Sequence, residues 1–127
     1  MDFRLSDDQL ALQDAARKFA TGELPALARD LEDAAEPVPH DWLKRYAEMG
    51  FLGINTPTEL GGLGRPLVDA LIVLEEFAKI SVAVAFPVFE CCVGPVRIVE
   101  RLGAPELRDR IVPRAAAGDL LVAISMS

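Results

Sequence analysis

Histidine occurs once among the 127 residues and cysteine twice, and Lys plus Arg number 13 against 20 Asp plus Glu. Each shortage removes a class of function. Nucleic-acid binding needs a clustered cationic surface, and a net charge of −7 argues against it. The cations present, Arg97, Arg101 and Arg108 among them, are interleaved with acids and read as solvated helix faces. Cys91 and Cys92 are adjacent; a vicinal disulfide is strained, and two cysteines without neighbouring histidines make no zinc site. They read as reduced, buried, small apolar residues, which points to a cytoplasmic location. His40 follows Pro39 with no serine or cysteine nucleophile pattern nearby and reads as a solvent-facing loop residue, not a general base. No stretch offers the roughly 20 uninterrupted apolar residues of a membrane span. The acidic start MDFRLSDDQ lacks the basic-then-apolar order of a secretory signal.

What is present in excess is apolar surface. Hydrophobic residues make up 51% of the chain without counting glycine, and mean hydropathy is +0.25. A chain of this size supports one domain, but its core cannot hide that much. A partner subunit, a second domain or a greasy ligand is expected to cover the remainder.

Helix signals dominate. Ser6-Asp7-Asp8-Gln9 is a capping box, with Leu5 and Leu10 placed as a hydrophobic staple. The first helix carries Leu12, Ala16 and Phe19 on one face until Gly22 and Pro25 interrupt it, and a second segment to about Asp33 takes a new direction. Asp41 is expected to cap a short helix with Trp42, Tyr46 and Met49 on one face and Gly50 as its left-handed end. Pro66 starts a helix to about Lys79, with Leu67, Leu71, Leu74 and Ala78 on one side and Glu75 and Glu76 outward in solvent. The stretch 81–102 is apolar nearly all round, hence buried, with Pro87 and Pro95 kinking it or shifting its start. Glu90 lies inside it and must reach a helix edge or meet a cation. Pro105 begins a last helix ending at Gly118, and 120–127 reads as a strand. The fold class is therefore all-α, a bundle of five to six helices closed by one truncated β-strand.

The glycines of NTPTELGGLGRP invite a phosphate-loop reading, which fails on detail. Gly64-Arg65-Pro66 stands where a P-loop needs Gly-Lys-Ser/Thr, and the third glycine of a dinucleotide fingerprint is missing. A tight turn leading to the next helix is preferred. No metal site and no complete catalytic set emerge from the residues.

The order of three segments carries a resemblance. FRLSDDQLALQDAARKFATGELPALARDLE, WLKRYAEMGFLGINTPTELGGLG and RLGAPELRDRIVPRAAAGDLLVAISMS together resemble the N-terminal helical domain of acyl-CoA dehydrogenases. Met49 through Ile54, Pro57 through Gly64, Gly103, and Val112-Pro113 through Gly118-Asp119 match closely. The resemblance implies a helical domain over 1–118 and, over 119–127, the first strand of a middle β-domain. That domain and a C-terminal four-helix domain holding the catalytic glutamate are expected outside these residues, since AISMS stops one residue short of the acidic residue that normally follows. It implies FAD as cofactor, an acyl-CoA substrate dehydrogenated to a trans-2-enoyl-CoA, reoxidation by an electron-transfer flavoprotein, and an oligomer. Met126 and Ser127 match positions that meet the flavin; Ser127 stands where threonine is common and keeps the hydroxyl, while Ser125 points to the opposite face. Val82, Ala85, Phe86, Phe89 and Val93 fall on one stripe of the helix that walls the acyl pocket in the family, and core packing is an equal alternative for each. An acyl-CoA oxidase, a nitroalkane oxidase or a flavin monooxygenase would share this domain. A helical interaction module, or one subunit of a split enzyme, would share the apolar excess.

Overall fold

Ser6 Oγ accepts the Gln9 backbone N–H at 3.2 Å, and Gln9 Oε1 accepts the Ser6 N–H at 3.1 Å, so the capping box opens the first helix. The computed structural model describes residues 3–127, and among them six α-helices. They are α1 (Asp7–Ala34), α2 (His40–Glu48), α3 (Leu67–Ala78), α4 (Val82–Cys92), α5 (Pro95–Leu102) and α6 (Pro105–Ala116). A short 3₁₀ turn, Thr58–Leu60, precedes the glycine segment.

α1 packs on α3 and α4, and α5 and α6 pair beside them. The centre is aromatic. Phe19, Tyr46, Phe51 and Phe77 form a cluster in which Phe19 and Phe77 stack at 5.7 Å and Tyr46 meets Phe77 edge-on at 5.1 Å. The Tyr46 hydroxyl donates to the Val84 carbonyl at 3.0 Å, so this buried polar tip is satisfied and ties α2 to α4.

Four expectations are corrected. α1 runs unbroken through Gly22 and Pro25, because Ala20, Leu24, Leu27 and Leu31 continue one buried stripe whose packing outweighs the bond Pro25 cannot make. Asp41 does not cap α2: Pro39 takes the cap position without a side-chain bond, and Leu43 and Tyr46 are the buried face while Met49 is exposed. α3 faces the other way. Ala70, Val73 and Phe77 are inside, whereas Leu67 and Leu71 remain 50% and 43% exposed. Finally, 120–127 is extended but no strand forms among the described residues, since a strand needs a paired neighbour for its backbone groups.

The stretch 82–102 is 21 residues long with a mean hydropathy of 1.8 in its most apolar window, so by length and composition it passes for a membrane helix, although Glu90 and Arg97 interrupt its apolar run. In the fold it divides at Val93–Gly94, where Pro95 starts α5, and Val84, Val88, Cys91, Cys92 and Val96 enter the core. Pro87 sits inside α4 without ending it.

Candidate functional site

The turn of α3 toward the core by its Phe77 side leaves Leu74 and Ala78 facing α4. They meet Val82, Ala85, Phe86 and Phe89 around an open cleft of about 200 Å³ whose lining is entirely apolar. Ala85 is buried at its base, while Val82, Phe86 and Phe89 stand 64%, 50% and 38% exposed. The two phenylalanine rings approach at 5.8 Å with a 56° tilt. Large apolar side chains left this open form a surface suited to an apolar ligand or a neighbouring domain.

Four residues of the expected stripe thus share one cleft. Val93 does not join them; it is half-buried and lines a separate groove with Leu67, Arg97, Ile98, Arg101 and Leu102. Leu74 and Ala78 were missed as site residues because their stripe on α3 reads as core. Met126 and Ser127 lie in the extended tail, away from the cleft lining, with Met126 89% exposed. Among the described residues the tail 120–127 makes no backbone hydrogen bonds, so its amides and the Ser127 hydroxyl are available as donors. That donor set suits the polar edge of a flavin ring and is too small to hold a whole dinucleotide.

The glycine segment has no spare donors. The N–H groups of Gly61, Gly62, Leu63, Gly64 and Arg65 go to the carbonyls of Thr58, Pro57, Gly53, Thr56 and Ile54 at 2.8–3.1 Å. A phosphate would find every amide taken. The turn reading holds: Gly61 has φ +87°, and a Cβ on Gly62 would sit 2.2 Å from the Thr56 carbonyl oxygen.

Charged groups divide by partner. Glu76, expected in solvent, is only 3% exposed and receives Arg17 through two bonds of 3.0 and 3.2 Å and Lys79 at 2.8 Å. The Arg17 hydrogen bond holds its carboxyl below the ordinary value of 4.5. Glu75 remains exposed. Glu90 is 9% exposed, and burial pushes its carboxyl up. Cys91 and Cys92 are free and buried; burial raises both thiols, Cys92 to about 11, so neither offers a ready thiolate. His40 is exposed in the first turn of α2 rather than in a loop. Among the described residues no cluster of three or more His, Cys, Asp or Glu could hold a metal.

Residues 6–119 match the family model for the acyl-CoA dehydrogenase N-terminal domain. The chain is 32% identical over 127 residues to benzylmalonyl-CoA dehydrogenase of Aromatoleum aromaticum, covering 100% of this chain and 33% of that protein. It is equally 32% identical to acryloyl-CoA reductase (NADH) of Anaerotignum propionicum, over 100% of this chain and 32% of that one. Butyryl-CoA dehydrogenase of Megasphaera elsdenii superposes with a TM-score of 0.81 over 95% of this chain and 32% of its own, at 18% identity, a likeness of fold alone. Solved neighbours of this fold also include an FAD complex. The chain spans about a third of the length of the curated relatives it matches.

Proposed function

The chain belongs to the acyl-CoA dehydrogenase family through its N-terminal domain, and from that premise we propose that it forms one wall of a pocket in which an acyl-CoA thioester lies against FAD. The observation that carries this is the apolar cleft between α3 and α4, with Phe86 and Phe89 held half open over a buried Ala85. The names of the two relatives support the substrate class more firmly than the direction of reaction. One is a dehydrogenase and the other a reductase, yet both act on CoA thioesters.

FAD, when bound, supplies the acceptor for the hydride leaving the β-carbon in an α,β-dehydrogenation. The residues of this chain do simpler work. Val82, Ala85, Phe86, Phe89, Leu74 and Ala78 exclude water from the acyl chain and limit its length, and a dry site strengthens the electrostatics acting on the thioester. Ser127 and the backbone of Met126 donate to the flavin edge. Val93, outside the cleft, forms part of a neighbouring groove. The base that takes the α-proton comes from further domains of an oligomeric, cytoplasmic enzyme, and an electron-transfer flavoprotein takes the electrons. The free buried thiols agree with a reducing compartment.

The test is flavin bleaching by acyl-CoAs of graded length, using the protein together with the polypeptide that carries those domains. Phe86→Ala should raise kcat/KM for longer or branched acyl groups relative to short ones by about tenfold, in line with the 1–3 kcal/mol an apolar pocket discriminates. An unchanged length profile would remove the cleft from the acyl site. Binding of the other domains with no response to any thioester would favour a docking module instead.

A further inference from the structure

Three carboxylates are buried among the described residues: Asp69, Glu76 and Glu90. Two are accounted for. Asp69 receives Gln9 at 2.9 Å and Arg65 at 2.5 Å, and Glu76 receives Arg17 and Lys79. Glu90 is 9% exposed and, among the described residues, has no hydrogen bond and no ion pair, while its carboxylate oxygens are not fully closed off from solvent. It lines a cleft of about 230 Å³ with Leu31, Val38, Pro87 and Leu121. Among the described residues, the other ionisable group lining that cleft is Glu36, which is exposed. Its chain neighbour Cys91 is a buried neutral thiol and offers no counter-charge. Phe86 separates this cleft from the acyl cleft and lines both.

We infer that Glu90 and Glu36 form a binding site for one alkyl-ammonium or alkyl-guanidinium group, with Glu90 as its buried anion. An apolar neck around a buried carboxylate accepts the aliphatic stem, and the carboxylate accepts hydrogen bonds from the cationic head. A neutral ligand would leave the carboxylate unpaired, and an anion would be repelled by two carboxylates. The volume takes one side-chain end or one small amine, not a folded segment. A lysine or arginine side chain and a free amine share this chemistry. The site shares Phe86 with the acyl cleft but none of its ionisable groups, so the titration of Glu90 reads it separately from the acyl-pocket reading.

The test is a pH titration of the purified protein labelled with ¹³C at glutamate Cδ, followed by NMR. Alone, Glu90 should titrate above the ordinary carboxyl value of 4.5, because burial disfavours its charge. Saturating n-butylammonium should lower its midpoint by about one pH unit or more, the effect of an opposite charge at contact distance. Equal concentrations of n-butanol should leave it in place. N-acetyl-lysine methylamide separates the sources: a shift with both cations assigns the site to the cationic end whatever carries it, and a shift with butylammonium alone restricts it to free amines. A midpoint that neither cation moves, or that butanol moves as far, overturns the inference. Glu90→Gln identifies the resonance, and the wild-type titration stands even where that variant folds poorly.

Discussion

A methyl group on Gly62 would lie 2.2 Å from the Thr56 carbonyl oxygen and 2.4 Å from its Cβ, neither of which can retreat, since Thr56 is fully buried. Gly62→Ala should therefore lower unfolding stability by about 1–3 kcal/mol, the ordinary cost of overpacking, measured by urea denaturation. The same residue scale explains what single side chains announce in advance. Ser6 and Gln9 lie three positions apart, so their capping box is legible in the sequence alone. Glu76 is not, because its partner Arg17 lies 59 positions away and only the packing of α1 on α3 joins them. The pH dependence of that pair has a definite sign. The folded carboxyl titrates below its ordinary value of 4.5, so its stabilisation is present at neutral pH and lost as pH falls through the folded value. The stability gap between wild type and Glu76→Gln should be widest at neutral pH and close on acidification below about 4.5, followed by thermal unfolding across a pH series.

Helices were legible here where the signal is local and misread where packing decides. Gly94 and Pro95 divide the apolar stretch because a proline suits the first turn of α5. Gly22 and Pro25 suggest a break of the same kind in α1, yet the buried stripe from Ala16 to Leu31 carries the helix across both. Gly22 contributes nothing by being glycine: a Cβ there would meet no atom within 4 Å, and its φ is not in the left-handed region. Gly22→Ala should raise stability by about 0.5–1 kcal/mol by reducing the freedom of the unfolded chain and favouring helix. Differential calorimetry of the two proteins would show it, and a loss of stability would mean that α1 bends at this point in solution. α3 teaches the complementary lesson. Period alone offers two apolar faces, Leu67-Leu71-Leu74-Ala78 and Ala70-Val73-Phe77, and the second goes inside because Asp69 and Glu76 on its edges find Arg65, Arg17 and Lys79. The sequence does not announce Leu74 and Ala78 as cleft residues for that reason, whereas the spacing of Val82, Ala85, Phe86 and Phe89 together with the family resemblance places those four on one stripe.

At the scale of the molecule, the apolar excess in the composition has a definite address. Leu67, Val68 and Leu71 on α3 and Val82, Phe86 and Phe89 on α4 are all 38–64% exposed, large apolar side chains of the kind that mark surfaces covered by a partner or ligand. The extended tail, with Leu121, Ile124 and Met126 open to solvent and its amides without backbone partners among the described residues, adds a second adhesive element. Neither the orientation of that face nor the state of the tail follows from local sequence, because both depend on what packs beside them. Left uncovered, these surfaces should drive the chain to self-associate. Sedimentation velocity over a concentration series should show wild type moving from monomer to larger species. The pair Leu71→Lys and Val82→Glu should hold it monomeric, since both side chains are exposed and the new charges keep the patch solvated. Unfolding stability should stay within the small range of surface substitutions, about ±0.5 kcal/mol, because neither residue contributes to the core. Wild type that sediments as a monomer at every concentration would show the face to be quiet on its own, and the case for a covering ligand or domain would then rest on the cleft alone.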